Sequence, residues 1–270
     1  MKNRILILGS SGFIGQYLYK KLKLKNIIFK SHAKNKRCIN LNNSTKIKIY
    51  LKKNKINLII NLINSFDYEK IIALNKNLNN ALNGLNVKVL LVSSSLVYGN
   101  KIKSANEKSK LKPFNSYTKL KVKLEKMIKI TNLNYKIIRL SNVYDNNLDK
   151  KGLFKNIKDC LQKKTHYISF NNTNIYRNFI HIYDVCNLFE KIVTEYEKIN
   201  RNVINIGAEN IKLGRIIDMY RKKFNIKILV RLNKNKKYDP SIKIDNKFIK
   251  NKLNFKRTIS LKKTINKLEL

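Results

Sequence analysis

The sequence predicts an α/β fold, namely a doubly wound parallel sheet with helices on both of its faces and a small lobe built by the C-terminal part. Three observations predict this fold. Short apolar runs alternate with stretches of helical period, the first run ends in a glycine-rich turn, and the alternation becomes less regular beyond about residue 150. Strands of a parallel sheet are buried on both faces, so they read as continuous apolar runs. Their alternation with helices is typical of doubly wound folds.

The elements follow in order along the chain. The apolar run at residues 5–8 predicts a strand, and apolar residues at positions 13, 14, 18, 22 and 24 predict an amphipathic helix over residues 13–24. Further strands are predicted at 27–29, 58–62, 87–92 and 135–140, and helices at 67–85 and 116–130. Beyond these we expect a helix at 153–161, a strand at 167–170, a helix at 183–196, a strand at 203–206 and a basic tail.

The run from Gly9 to Gly15, which reads GSSGFIG, is the most informative motif. It places three glycines where a buried strand turns into a helix, so that backbone N–H groups and the N-terminus of the helix can meet a pyrophosphate. The sequence therefore predicts a dinucleotide-binding domain over residues 1–150, with residues 151–270 completing the sheet and forming a substrate-binding lobe. A tight turn that binds no ligand is the alternative interpretation.

The composition is strongly basic, with 59 Lys and Arg against 16 Asp and Glu and a formal net charge of +43. Such a charge often indicates binding to nucleic acid or to an anionic membrane. Here the lysines are spread through every segment, whereas a nucleic-acid-binding face concentrates basic residues on one element. We therefore expect no nucleic-acid or membrane partner, but an attraction for anionic small molecules.

Cysteine and histidine usage excludes two further classes of protein. The cysteines Cys38, Cys160 and Cys186 form no CxxC pair and predict no disulfide framework, which favours a reducing, cytoplasmic compartment. The three histidines are far apart and have no cysteine or carboxylate at ligand spacing, so no metal site is expected.

No apolar segment approaches the ~20 residues of a membrane span. The apolar run after Met1 is too short for a signal peptide.

A second cluster of polar residues follows the predicted strand at 87–92. It reads SSSLVYG over residues 93–99, and it places hydroxyl groups at the carboxyl end of a central strand, where ligands bind in open α/β sheets. Tyr117 and Lys121 follow on a predicted helix, four residues apart and hence on one face. The same spacing occurs by chance in Tyr17/Lys21 and Tyr19/Lys23, so position after the serine cluster is what distinguishes the pair at 117 and 121.

Taken in chain order, these motifs resemble the extended short-chain dehydrogenase/reductase family, in particular its sugar-nucleotide epimerase/dehydratase branch. The resemblance covers nearly the whole chain. Beyond the glycine turn and SSSLVYG, it includes SYTKLK at 116–121 with Glu125, RLSNVY at 139–144, RNFIHIYD at 177–184, NIG at 205–207 and LNF at 253–255. The resemblance implies a Rossmann domain that binds NAD or NADP, a nucleotide-sugar substrate, and a homodimer formed through the helices at 67–85 and 116–130.

The resemblance also implies roles for individual residues. Ser94, Tyr117 and Lys121 would form the acid/base triad, in which the Lys121 ammonium and a cationic nicotinamide ring stabilise the Tyr117 phenolate. The cofactor would be held by Gly9, Gly12, Phe13, Ile14, Gly15, Ser31, Asn40, Leu41, Tyr117 and Lys121. The nucleotide diphosphate and base of the substrate would be lined by Asn142, Leu153, Arg177 and Lys236. His181 is expected to pack or hydrogen-bond rather than to catalyse.

Two questions of chemistry are open at this point. Ser31 stands where an acid would bind an adenosine 2′-hydroxyl, and Lys30, Lys34 and Arg37 lie nearby, which favours NADP over NAD. The residues after Ser94 are Ser95 and Leu96, whereas the 4,6-dehydratases of the family carry an Asp-Glu pair there. The expected enzyme is therefore a 4-epimerase or a 4-ketoreductase. A catalytically silent protein that binds a partner through its basic surface is the alternative from another class.

Overall fold

The computed structural model describes residues 2–31, 39–148, 153–162, 167–170, 172–226, 228–232 and 240–269. The strands are β1 (Arg4–Leu8), β2 (Ile27–Ser31), β3 (Leu58–Asn61), β4 (Lys88–Ser94), β5 (Lys101–Ala105), β6 (Tyr135–Leu140), β7 (Asn142–Tyr144), β8 (Tyr167–Phe170), β9 (Tyr176–His181), β10 (Val203–Ile206), β11 (Glu209–Lys212), β12 (Leu229–Leu232) and β13 (Ile242–Ile244). The helices are α1 (Phe13–Leu22), α2 (Ser44–Lys53), α3 (Tyr68–Leu82), α4 (Ser116–Lys129), α5 (Leu153–Gln162), α6 (Ile182–Thr194), α7 (Leu213–Phe224), α8 (Lys247–Lys252) and α9 (Leu261–Asn266).

The predicted doubly wound parallel sheet is confirmed. Six strands follow the order β10-β6-β4-β3-β1-β2, so β1 lies between β3 and β2. The glycine turn begins the first crossover connection, which runs from β1 through α1 to β2. Leu6 and Leu8 on β1 pack into one apolar cluster, while Ile5 and Ile7 are equally buried. Because alternate residues of a strand point to opposite faces, β1 is covered on both sides.

Two compact units are each built from three segments of the chain. The first unit comprises Met1–Val97, Asn115–Leu140 and Cys186–Ile204, and the second comprises Tyr98–Phe114, Ser141–Val185 and Asn205–Leu270. The sequence-based division at residue 150 was drawn along the chain, whereas these units interleave.

In the first unit, α2, α3 and α4 pack their apolar residues against the sheet. Within the same unit, Glu190 on α6 forms two ion pairs of 3.1 Å, one with Lys21 on α1 and one with Lys25, which follows that helix.

The second unit contains a three-stranded sheet of order β11-β9-β7 and the two-stranded pairs β12-β8 and β13-β5. Carboxylate groups form hydrogen bonds and an ion pair between segments of this unit. Glu107 accepts a hydrogen bond from the backbone N–H of Asn205, and Glu209 pairs with Arg257 at 2.6 Å. Asp184, which is 1 % exposed, accepts hydrogen bonds from the backbone and side chain of Thr258. These three acidic groups are thus engaged in specific contacts within the second unit.

The expectation of a basic tail after residue 206 is wrong. This region forms β11, α7, β12, β13, α8 and α9. In α7, Leu213, Ile216, Ile217 and Tyr220 are buried at the spacing of one helical face, and four of the other positions carry lysine or arginine. The high lysine content hid this amphipathic pattern. Helix α2 was missed for the same reason; it begins after Asn43, whose side chain accepts a hydrogen bond from the backbone N–H of Lys46.

Within the described part of the chain, no helix has the length and apolarity needed to traverse a bilayer. The same residues contain no group of three or more histidine, cysteine or acidic side chains placed to bind a metal ion.

The third glycine of the turn makes the close packing of α1 possible. A Cβ atom at Gly15 would lie 2.3 Å from the carbonyl oxygen of Gly9 and 2.7 Å from Cα of Ser10. We expect Gly15→Ala to lower the free energy of unfolding by about 1–3 kcal/mol, since overpacked sites cost this much. Urea unfolding measures the change.

Gly214→Ala is the matched control, because Gly214 also lies in the first turn of a helix but its Cβ would be 3.5 Å from the nearest atom. This variant should be unchanged or more stable by about 0.5–1 kcal/mol, the gain in helix propensity over glycine. A Gly15→Ala protein as stable as the wild type would show that the turn tolerates a side chain.

Candidate active site

The glycine turn between β1 and α1 is shaped for a phosphate group. Gly9 has φ +80°, and a Cβ there would lie 3.0 Å from the carbonyl oxygen of Leu62. The backbone N–H of Gly12 donates to the Gly9 carbonyl at 3.0 Å, and α1 begins at Phe13 with no side-chain cap on its first turn. Backbone N–H groups at an uncapped helix N-terminus are suited to an anion. The residues present therefore fit the pyrophosphate of a dinucleotide.

Two asparagines missed by sequence reasoning support the chain beside this turn. Asn61 donates from Nδ2 to Oδ1 of Asn75 at 2.7 Å, and its own Oδ1 accepts from the backbone N–H of Ile63. Asn75 in turn donates to the carbonyl of Ile71 on its own helix. Both side chains are buried. The signal that could have revealed them is a polar residue that interrupts the apolar run at 58–62.

Only some of the side chains predicted to contact the adenosine lie in the described part of the chain. Asn40 is exposed and accepts a hydrogen bond from the backbone N–H of Asn42, and the Leu41 carbonyl accepts one from Asn77. Ser31 ends β2, but its side chain lies outside the described residues, as do Lys34 and Arg37. Lys30 places its ammonium 3.7 Å from the ring centroid of Tyr19.

The structure brings Ser94, Tyr117 and Lys121 together. Ser94 ends β4, while Tyr117 and Lys121 lie on one face of α4, whose start is fixed by a capping box between Asn115 and Thr118. Ser94 lies within hydrogen-bonding reach of the Tyr117 phenol, where it acts to lower the pKa of that group. Ser94 Oγ also accepts from the backbone N–H of Leu96 at 3.2 Å, which fixes the hydroxyl at the end of the strand.

Lys121 lies beneath this pair and is 5 % exposed. Its Nζ donates to the carbonyl of Val92 at 3.2 Å and is 5.7 Å from the ring centroid of Tyr117. Burial lowers the pKa of Lys121 to about 8, because an ammonium loses its hydration inside the protein.

The phenol of Tyr117 lies where burial raises its pKa above its ordinary value. Ser94 opposes this increase, and Tyr68 adds to it. Desolvation is the largest of these effects, so the phenol keeps its proton at neutral pH. That the Lys121 ammonium and a cationic nicotinamide ring together stabilise the phenolate stays a prediction.

The chain leaves Ser94 through a short 3-10 helix over Ser95–Tyr98. Ser95 is 2 % exposed and Leu96 is half-buried. Neither residue carries a carboxyl group, so the two positions that follow Ser94 supply no acid or base.

Three of the four predicted substrate residues lie in the second unit, and Lys236 falls outside the described residues. Asn142 on β7 donates to the carbonyl of Asn178 at 2.9 Å, and Arg177 on the neighbouring β9 donates to the carbonyls of Tyr176 and Pro240. Leu153 begins α5 and is half-buried. Asn142 and Arg177 thus lie on adjacent strands, and both side chains donate to backbone carbonyls.

His181 is fully buried and engaged at both ring nitrogens. Its Nδ1 accepts from the backbone N–H of Tyr183, so Nε2 carries the proton toward Oδ1 of Asn146, 3.0 Å away. Burial lowers its pKa. The ring packs edge-on against Tyr144, with centroids 5.2 Å apart. The histidine therefore has the packing and hydrogen-bonding environment expected of a structural residue.

Comparisons with known proteins agree with this geometry. A sequence model described as the NAD dependent epimerase/dehydratase family matches residues 5–207. The dTDP-D-glucose 4,6-dehydratase of Dictyostelium discoideum is 28 % identical over 275 residues, which covers 83 % of this chain. The chain spans 62 % of the length of that relative.

Solved structures show the same fold at low sequence identity. The dTDP-glucose 4,6-dehydratase of Bacillus anthracis, in complex with NAD, superposes with a TM-score of 0.82 at 17 % identity, over 98 % of this chain and 94 % of that one. The UDP-glucuronic acid 4-epimerase of Bacillus cereus, in complex with UDP-glucuronic acid and NAD, gives 0.79 at 21 % identity, over 97 % and 96 %.

The burial of Lys121 predicts a pH-dependent stability. Its pKa is about 8 in the fold and 10.5 in its ordinary state, so between these values the unfolded chain binds more protons and stability rises with pH. In this window the free energy of unfolding of the wild type should rise by about 1.4 kcal/mol per pH unit relative to that of Lys121→Met. Denaturant unfolding of both proteins from pH 7 to 10 measures the difference.

Lys119→Met is the control, since Lys119 is exposed on the same helix. The difference in the free energy of unfolding between Lys119→Met and the wild type should stay constant across the same pH range. Parallel pH profiles for the wild type and Lys121→Met would mean that the ammonium is well solvated in the folded protein.

Proposed function

Since the chain belongs to the NAD-dependent epimerase/dehydratase family, we propose that it catalyses NAD(P)-dependent redox chemistry at C4 of a nucleotide-activated sugar, as a 4-epimerase or a 4-ketoreductase. The observation that carries the proposal is the placement of Ser94 beside the Tyr117 phenol, with the buried Lys121 on the same helix face as Tyr117. These groups are the components that proton exchange with a sugar hydroxyl requires.

The residues that would hold the cofactor are the glycine turn with Phe13 and Ile14, and Lys121. When bound, the nicotinamide accepts or donates the hydride. The cofactor is NAD or NADP, and the preference for NADP suggested by Ser31 remains part of the proposal. Asn142, Leu153, Arg177 and Lys236 are proposed to bind the nucleotide part of the substrate, where guanidinium and ammonium groups suit a diphosphate.

Tyr117 is the proposed acid/base. Because its phenol is protonated at neutral pH, it is in the state that donates a proton to the oxygen of a keto sugar. In the reverse reaction Tyr117 first loses its own proton. The resulting phenolate then accepts the proton of a sugar hydroxyl. Ser94 would hydrogen-bond the same sugar oxygen and keep the phenol directed at it. Lys121 would supply the nearby positive charge.

The environment of Ser94 favours epimerase or ketoreductase chemistry over dehydration. Elimination of water needs an additional acid and base near the reacting carbons. The two residues that follow Ser94 are a buried serine and a leucine. We therefore infer that this chain differs in reaction from its dehydratase relatives.

We also propose a homodimer that pairs through α3 and α4, as the family resemblance implies, and a cytoplasmic location. Ile130, which follows the last turn of α4, is 87 % exposed. Light scattering of the purified protein tests the dimer.

A panel of substrates tests the reaction. The purified protein is incubated with NADH or NADPH and 4-keto-6-deoxy sugar nucleotides, and separately with hexose nucleotides and NAD. Turnover of the first set indicates a ketoreductase, and interconversion of the second indicates an epimerase. Inactivity on both sets contradicts the proposal; salt-sensitive binding to RNA in that case would favour the catalytically silent alternative.

Tyr117→Phe tests the role of the phenol. We expect kcat to fall by about 10²–10⁴-fold, the usual contribution of a general acid or base, while cofactor affinity changes little. Tyr19→Phe is the matched control, since Tyr19 has the same spacing to a lysine, Lys23, on α1. An active Tyr117→Phe enzyme would remove the tyrosine from the mechanism.

A further inference from the structure

A buried ion pair lies one helical turn beyond Lys121. Glu125 and Arg139 are 1 % and 2 % exposed. Arg139 donates from Nη2 to Oε2 of Glu125 at 2.7 Å and from Nε to Oε1 at 3.1 Å. The carboxylate also accepts a hydrogen bond of 2.6 Å from Oγ of Ser93. Three hydrogen bonds therefore converge on one carboxylate in the interior of the first unit.

The contact joins three elements of that unit. Ser93 on β4 and Arg139 on β6 are register partners in the parallel sheet, and Glu125 reaches both from α4. Two parallel bonds between a planar guanidinium and a planar carboxylate set orientation as well as distance. Helix α4 cannot slide along the sheet or rotate about its axis without stretching at least one of these bonds.

Each end of this network adjoins a member of the triad. Ser93 directly precedes Ser94, and Glu125 follows Lys121 by one turn on the same face of α4. We propose that Glu125 and Arg139 are positioning residues: their ion pair holds α4 against β4 so that Tyr117 meets Ser94 and Lys121 meets the carbonyl of Val92. The proposal rests on the proposed function for its catalytic consequence, but the geometric part concerns the fold alone.

Stability alone does not account for the pair. Removing two charges from water is costly, and replacing a buried pair with apolar residues of similar volume is often neutral or stabilising. Apolar contacts already hold this helix, since Leu120, Leu124 and Ile128 pack into the core cluster. What the ion pair adds to these non-directional contacts is a fixed geometry.

The two charges must be removed together in an experiment. A single substitution leaves a buried charge without its partner, which strongly destabilises a protein and would place a net charge near Lys121. The double variant Glu125→Leu/Arg139→Met keeps the interior neutral and approximately filled. If the pair serves only stability, this variant should have the activity of the wild type once it folds.

We expect the double variant to melt within a few degrees of the wild type and to keep its KM for cofactor, while kcat falls by about 10–100-fold, as small misplacements of catalytic groups do. A crystal structure of the variant should show Ser94 Oγ and Tyr117 Oη no longer within hydrogen-bond distance. An unchanged kcat together with a retained hydrogen bond overturns the proposal.

Lys136→Met is the matched control. Lys136 is buried on the same strand as Arg139, and its Nζ donates to the carbonyl of Ile199 at 2.6 Å, at the end of β6 opposite the triad. Its loss should lower stability and leave kcat unchanged. If the double variant does not fold, Ser93→Ala removes only the 2.6 Å bond and should still lower kcat several-fold; unchanged turnover there overturns the proposal.

The wild-type assay separates this proposal from the proposed function. A wild type that is inert on every nucleotide sugar contradicts the function, and the Ser94–Tyr117 distance in the variant crystal then decides the positioning role without any activity. An active wild type with an equally active double variant contradicts only the positioning role.

Discussion

The ammonium of Lys121 reaches from α4 to the carbonyl of Val92 on β4, and the candidate site depends on this contact. It links the helix that carries Tyr117 to the strand that ends in Ser94. The same contact has an energetic cost, because it places a cation in the interior and lowers its pKa to about 8. A buried lysine with one backbone partner is a poor choice for stability, but its position is the one that chemistry beside Tyr117 requires.

Much of the fold follows from apolar patterning. The buried parallel strand β1 contains the continuous apolar run Ile5–Leu8, as strands covered on both faces do, and the glycines at 9 and 15 mark positions where a side chain would collide with the backbone. Among the elements that sequence reasoning missed, α2 and α7 have narrow apolar stripes among lysines and arginines. Lysine is tolerated at exposed positions of helices, strands and loops alike, so its presence does not indicate which kind of element it lies in.

The candidate site was predictable in composition but not in electrostatics. Position after a serine-rich strand end singled out Tyr117 from other tyrosines at the same spacing, and the structure places it against Ser94. The direction of its pKa shift could not be derived from the sequence. It depends on how completely the phenol is buried and on its proximity to Ser94 and Tyr68, which only the packing of the folded chain determines.

The internal use of acidic residues has a consequence outside the fold. Glu107, Glu125, Asp184 and Glu209 neutralise or accept hydrogen bonds from groups inside the protein. Since the sequence has 59 Lys and Arg against 16 Asp and Glu, its carboxylates are too few to neutralise most of the basic groups. Their counterions must then come from the solvent. Multivalent buffer anions such as inorganic phosphate would condense on this surface and compete with any nucleotide for it, so that ionic strength sets the apparent affinity for anionic ligands.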